Sequence, residues 1–420
     1  CRHNSTVWWE LLIPRGQDVA VLFQMISKKF RGNIDYGRAS PLLGIRFLRR
    51  GLSLMLILAG GIYLTSLVEY RQSELIVPLR NLWQYGQTSS QSGELLTMSR
   101  YKHGAGNNPV HVAQTVRDSA LAVIDDVEAS KLPMLSTVDR KRLFQVADYF
   151  STSGDRRPME TGNSSEENDT WFRVWAYDFD YPTYGLKQPW YSGMAQGHVI
   201  EVELAAYFIN GDHRYLDTAC EAARALEVPI SQGGVAVFLS QGRGIWFEEY
   251  ASISTEPPLV LNGHNFALNG LWHLSRIEPE FVPLFEAGVH AVKEKLPEFD
   301  AGVWSRYDLH QAAANQKYQM IHIDQLRELY ARTGEPRFDE YAQKFTSQLW
   351  SPAQVCYRLC FYPHRMLVLL LLFNACSVAL VAKGIRSFVG RMCHRHRMSR
   401  YASDRSLPHS IPVVPLERAA

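Results

Sequence analysis

Six cysteines in 420 residues are too few and too scattered for a disulfide framework. Only Cys220 falls inside the stretch read below as the external domain, and Cys356 and Cys360 lie at its edge. No His and Cys residues recur at zinc-binding spacing, and Asp178 with Asp180 supply too few carboxylates for a calcium loop. Net charge is also scarce. The 44 Lys and Arg nearly balance 42 Asp and Glu, leaving +2, so composition gives no ground for a nucleic-acid partner. The charge is unevenly placed: the last forty residues are strongly basic, and most acidic positions lie in the middle. Cys1 stands where an initiating Met is expected, which reads as a fragment or a processed chain.

Two segments lack charge altogether. Gly51 to Val68 reads GLSLMLILAGGIYLTSLV and Met366 to Ala382 reads MLVLLLLFNACSVALVA. A span needs about 20 apolar residues, with roughly 17 as the lower limit, so both are expected to cross a membrane. The first lies too deep in the chain for a signal peptide and has no small-residue cleavage site, so it reads as an uncleaved anchor. Arg46, Arg49 and Arg50 precede it, and Lys383, Arg386, Arg391, Arg395, Arg397 and Arg400 follow the second. By the positive-inside rule, segment 1–50 and the basic tail 383–420 are cytoplasmic, and the intervening chain lies outside, in a periplasm or a Golgi lumen.

Between the spans the texture changes several times. Residues 69–150 read as a membrane-proximal region that turns helical from Val116 to Phe150, and 151–170 as a polar linker. From Trp171, Phe172, Val174 and Ala176 alternate with Arg173, Trp175 and Tyr177, which predicts a short strand. A helix follows to about Ile209, and Val235 to Glu249 reads as a β-hairpin. Tyr207 to Ala219 (YFINGDHRYLDTA) is echoed by Tyr330 to Ala342 (YARTGEPRFDEYA). Each copy predicts a helix end, a glycine turn and a new helix. A looser copy runs from Phe266 to Phe285. Recurring helical hairpins imply a mainly α fold, and an (α/α) toroid over 171–350 fits.

Four clusters carry chemistry: WYSGMAQG (Trp190 to Gly197), WFEEY (Trp246 to Tyr250), VLNG (Val260 to Gly263), and WSRYDL (Trp304 to Leu309) with KYQMIHI (Lys317 to Ile323). Read alone, the first is a helix start with Ser192 as cap and small residues for close packing, while Trp190 and Tyr191 offer a platform for a sugar ring. In this order the clusters resemble the C-terminal catalytic domain of the heparosan glucuronyl C5-epimerases, over roughly Gly185 to Trp350. The resemblance implies inversion of glucuronate to iduronate within an acidic polysaccharide. It assigns catalysis to Glu249, Tyr250, Tyr307 and Tyr318, and substrate binding to Trp190, Tyr191, Met194, Gln196, Trp246, Asn262, His310 and His322. It implies no cofactor and no metal, and allows a homodimer. Three features depart from the animal enzymes: a shorter gap between Tyr307 and Tyr318, Gln319 in place of a usual His, and His310 in place of an Arg.

These residue types suit that reaction. Removing the C5 hydrogen of a uronate builds negative charge on its carboxylate, so a base, an opposing acid and hydrogen-bond donors are needed. Glu249 is the expected base and Tyr318 the expected acid on the other face, with Tyr250 and Tyr307 as donors. Lys187, Arg243, Arg306 and His310 are candidate contacts for a polyanion. Packing accounts for much of the same pattern: a buried Tyr usually just hydrogen-bonds, Asp308 reads as an N-cap for the next helix, and His322 as a residue supporting the site. A polysaccharide lyase shares the first step, a glycoside hydrolase would pair Glu249 with Asp308, and a glycan-binding membrane protein would need neither acid nor base.

Overall fold

The computed structural model describes residues 50–68, 98–101, 104–159, 170–239, 244–310, 312–361 and 365–404. They form two compact units, one ending at Ala59 and the other starting at Gly60. Helix α1 is Arg50–Val68. Strands β1 (Met98–Tyr101) and β2 (Gly104–Asn107) pair, followed by α2 (Pro109–Gln114), α3 (Arg117–Glu128) and α4 (Thr137–Thr152). Strand β3 (Asp155–Pro158) pairs antiparallel with β4 (Trp171–Val174). The expected linker 151–170 is therefore corrected at its start. Its first two residues end α4, and 155–158 are a strand, because β4 has an edge that needs backbone partners; residues 160–169 lie outside those described.

The centre of the domain is α5 (Gly193–Asn210). Ser192 caps it by accepting the Ala195 N–H at 3.3 Å, and Gly193 to Ala206 are all buried. A helix buried on every side must pair each polar group internally. Gln196 does so by donating to the carbonyls of Arg173 (2.7 Å) and Ala222 (3.0 Å). Glu201 accepts two bonds from Arg117 on α3 (2.5 and 2.9 Å) and one from Asn269 (2.6 Å). Burial alone would raise the Glu201 pKa, but Arg117 and His198 together outweigh it and hold the carboxylate well below its usual range. Glu203 has no such partner among the described residues, and burial pushes its pKa well up.

Helix α5 turns at Gly211 (φ 73°) into α6 (His213–Arg224), where Asp212 caps by accepting the Arg214 N–H. Strands β5 (Ala236–Phe238) and β6 (Ile245–Phe247) form the expected hairpin. Helices α7 (Leu261–Ser275) and α8 (Val282–Lys295) follow. Then α9 (Gln316–Thr333) turns at Gly334 (φ 67°) into α10 (Pro336–Gln348), with Glu335 capping as Asp212 does. The sequence echo is thus one local device used twice. A left-handed residue, cheap only for glycine, ends one helix, and the next carboxylate starts another. The fold is mainly helical, with three two-stranded antiparallel sheets among the described residues.

Helix α11 (Pro352–Phe361) leads to α12 (Arg365–Asp404). Both α1 and α12 are long and apolar enough to cross a membrane. Where they meet, Asn374 donates to Thr65 Oγ1 at 3.0 Å, and Thr65 donates to the Gly61 carbonyl at 2.8 Å.

Helices α5 and α7 cross at unusual proximity. A Cβ on Gly197 would sit 2.3 Å from the Phe266 carbonyl oxygen and 2.6 Å from Ala267 Cα. Both obstacles are backbone and cannot swing aside. Gly197→Ala should therefore lower stability by about 3 kcal/mol, the upper part of the overpacking range. The thermal midpoint of the detergent-solubilised protein checks this; an unchanged midpoint would mean the crossing is looser than described.

Candidate active site

Strand β6 ends at Phe247, and Glu248, Glu249 and Tyr250 turn away from it. The start of α5 fixes this turn, because the Gly193 N–H donates to the Glu248 carbonyl at 2.7 Å. Glu248 is fully buried and acts as a bracket. One carboxylate oxygen accepts the Tyr250 N–H (2.9 Å) and the other the Leu259 N–H (2.9 Å). Leu259 has φ 54°, a strained conformation for a side chain of its size, and it needs such an anchor. The turn it holds also receives the 307–309 segment: Leu309 N–H donates to Pro258 O (2.9 Å) and Leu261 N–H to Tyr307 O (3.2 Å).

Glu249 is 9% exposed. Its Oε1 lies 3.5 Å from the Tyr307 hydroxyl, which lies 3.3 Å from the Tyr250 hydroxyl. Its Oε2 is buried with no hydrogen-bond partner among the described residues. The Tyr318 ring lies 4.6 Å from the Tyr307 ring, centre to centre. Asn315 caps α9 by accepting the Tyr318 N–H, fixing the helical start of that residue. All four residues assigned to catalysis thus lie in one cluster.

Burial is the main cause of the Glu249 shift, and the charge of Glu248 adds to it. The hydrogen bonds from Tyr250 and Tyr307 oppose it, and the carboxyl is pushed up to about 8. Burial also raises Glu248, to about 7, against the backbone N–H bonds it accepts. Of two neighbouring buried carboxyls, the one with both oxygens occupied by donors keeps the charge more easily; that is Glu248. Burial first, then the nearby Glu249, push Tyr250 and Tyr307 well above the usual phenol value. These hydroxyls keep their protons and can only donate to an anion.

A wall of aromatic rings closes one side. Tyr181 stacks on Tyr250 at 5.3 Å, and Tyr184 lies 4.7 Å from it. Trp190 lies 5.8 Å from Tyr250 and stacks on Tyr177 at 3.8 Å. The Tyr184 hydroxyl donates to Asp308 Oδ2 at 2.5 Å.

The substrate-binding set separates. Trp190 belongs to this wall, while Tyr191, facing the other way, donates no platform to it: its hydroxyl takes a bond from Arg157 at 2.6 Å. Met194 and Gln196 are inside α5 packing, and Gln196 spends both its amide hydrogens on backbone. Trp246 is fully buried with its ring stacked on His264 (4.2 Å) and Phe299 (5.6 Å), so no face is left for a sugar. Asn262 and His322 are buried, each with one polar atom lacking a partner among the described residues: Oδ1 and Nε2. The other His322 nitrogen meets Ser305 Oγ at 2.9 Å, and burial lowers its pKa to about 3, so it is neutral. His310 is exposed at the edge, its ring 6.3 Å from Tyr184. The expected cations are engaged elsewhere. Lys187 pairs with Asp180 at 2.6 Å and Arg306 donates to the Glu298 carbonyl at 2.6 Å, while Arg243 lies outside the described residues.

Sequence reasoning missed Tyr181, Tyr184, Glu248 and the role of Gly263. The aromatic density of YDFDYPTYG was the available signal for the first two. Asp308 is corrected from a helix N-cap: it binds the Ala312 N–H and Tyr184, and Asn315 caps the next helix. Gly263 clears the floor of the site. A Cβ there would stand 2.3 Å from Glu249 Oε2 and 2.5 Å from its Cβ.

The site thus sets a buried glutamate beside tyrosine hydroxyls in a mainly helical domain. Comparison with known families adds that residues 168–347 match the family model described as D-glucuronyl C5-epimerase C-terminus. Among curated relatives, an uncharacterized protein of Methanocaldococcus jannaschii is 33% identical over 212 residues, covering 49% of this chain and 66% of that one. The D-glucuronyl C5-epimerase of Caenorhabditis elegans is 34% identical over 160 residues, 33% of this chain. The chain spans only 25% of the length of that epimerase.

Gly263→Ala should displace the Glu249 carboxylate. The carboxylate can swing aside, but Glu249 Cβ is fixed to its backbone, so the 248–250 turn must also shift, with a stability loss of about 3 kcal/mol. Any activity that depends on Glu249 should fall far more than stability does. Parallel thermal melts and activity assays check this, and full activity would mean that Glu249 has room to spare.

Proposed function

We propose that the protein is a cofactor-independent epimerase that inverts C5 of glucuronate to iduronate in an acidic, heparosan-like polysaccharide. The observation that carries this reading is the buried Glu249, with one oxygen unpartnered and the other beside a row of protonated tyrosine hydroxyls. In this reading the hairpins of the catalytic domain form the expected toroid around the chain-binding cleft.

The Glu249 carboxylate removes the C5 proton. The C–H electron pair moves into the C5–C6 bond and on to the uronate carboxylate, giving an enediolate. Tyr250 and Tyr307, held protonated by burial, donate to this developing charge. Tyr318 delivers a proton to the opposite face, which completes inversion without breaking the chain. Glu249 is then protonated and Tyr318 ionised, and exchange with water restores both. The reverse reaction uses the same groups with their roles exchanged. Glu248 acts through Glu249 and Tyr250: it holds the turn, and its charge keeps Glu249 a strong base.

A base with a pKa of about 8 is about one-tenth ionised at pH 7. A raised pKa means the active, deprotonated form gains population as pH rises. The C5 exchange rate should therefore climb about tenfold per pH unit below 8 and flatten above it. Glu249→Gln and Tyr318→Phe should each lower epimer formation by about a hundredfold or more. NMR of a heparosan-type polymer incubated in deuterated water reads both outcomes. Deuterium at C5 of both epimers with chain length unchanged supports the reading. Unsaturated chain ends would convert the protein to a lyase, and a Tyr318→Phe enzyme working at the parent rate would remove Tyr318 as the acid.

The reading also sets the site outside the cytoplasm, with both apolar helices spanning and both basic flanks inside. Protease added to sealed, right-side-out spheroplasts should cut within 171–350. Cleavage only from the cytoplasmic face would reverse the orientation.

A further inference from the structure

Helix α12 has 40 residues, so it is about 60 Å long, twice the hydrocarbon thickness of a bilayer. Its apolar run, Met366 to Ala382, accounts for only about 26 Å. The helix nevertheless continues past Lys383, and there its pattern changes. Ile385, Phe388, Val389 and Met392 are exposed by 58, 59, 50 and 56%. Their spacing of three, one and three residues places them on one narrow stripe. Lys383, Arg386, Arg391 and His394 lie off that stripe, and all are exposed. From Arg365 to Ser403 there is no acidic residue, while six Lys and Arg fall between 383 and 403.

Loop arginines alone would satisfy the positive-inside rule; a periodic apolar stripe among them is not required by it. Four large apolar side chains in water need a cover. A soluble acidic partner would match the charges but not the stripe. A second copy of the helix would match the stripe but would bring like charges together. An anionic lipid surface satisfies both, with acyl chains under the stripe and headgroup phosphates beside the cations. Gly384, at the boundary, is where the helix can bend from the span into the interface.

We propose that residues 383–394 are an interfacial helix that binds the anionic bilayer surface next to the second span. This rests on α12 spanning the membrane, and not on the catalytic reading. Cys393 is exposed on the flank of the stripe and serves as a reporter. The full-length protein, with its other five cysteines replaced by serine, carries an environment-sensitive dye on Cys393 and is reconstituted into vesicles. In phosphatidylcholine mixed with phosphatidylglycerol, the emission should shift to the blue relative to phosphatidylcholine alone. Raising salt from about 0.1 M to about 1 M shortens the screening length from about 10 Å to about 3 Å and should reverse the shift. Arg386→Gln with Arg391→Gln should weaken docking by roughly fivefold per charge removed, and Phe388→Ser should abolish the shift. Equal emission in both lipids overturns the proposal. In the same variant left unlabelled, disulfide-linked dimers through Cys393 that form equally in both lipids also overturn it, and assign the stripe to a second copy. A protein extracted from neutral vesicles by alkaline carbonate would instead overturn the spanning reading on which the proposal stands.

Discussion

The rest of the domain depends on the crossing of α5 and α7. Gly197 and Gly270 face each other there, and a Cβ on Gly270 would stand 2.4 Å from the Gly197 carbonyl oxygen. Two glycines remove the side chains that would otherwise separate two helix axes. The two helices therefore share their buried polar groups directly, as when Asn269 of α7 donates to Glu201 of α5. The same approach brings the start of α5 onto the Glu248 carbonyl, and the start of α7 under Glu249. Loosening the crossing would move the floor and the rear wall of the site together.

A second layer of organisation is electrostatic. The domain hides several carboxyls and treats each differently. Glu201 is paired with Arg117, burial raises the pKa of Glu203, Glu248 is saturated by backbone donors, and Glu249 has one oxygen without a partner among the described residues. Removing a carboxylate from water without a partner is costly. Of the four, Glu249 alone lies against tyrosine hydroxyls and aromatic rings, where an incoming group could use that oxygen. A raised pKa follows from the same placement, so reactivity and instability have one origin.

Support for the tyrosines reaches α11 and the end of α1. Trp304, three residues before Tyr307, is buried beneath the Arg358 guanidinium of α11 at 5.2 Å and donates to the Ala314 carbonyl at 2.7 Å. Ser66 at the end of α1 donates to the Leu349 carbonyl at 3.4 Å, where α10 ends. The end of α1 therefore touches the end of a helix of the domain that holds the site.

Local features were legible from the sequence because they depend on neighbours in the chain. The repeated Gly turns, the Ser192 cap, the β5–β6 hairpin and the apolar lengths of α1 and α12 are all of this kind. The motif order also singled out Glu249, Tyr250, Tyr307 and Tyr318, and the fold gathers those four. Which aromatic ring faces the cleft was not legible. Trp246 and Trp190 look alike in a string, yet one is sealed between His264 and Phe299 while the other borders Tyr250. Tyr184 meets Asp308 across 124 residues, and Gly263 clears space for a carboxylate on another element. Such relations arise only when helices pack, because burial and the reach of a side chain are properties of the assembled interior.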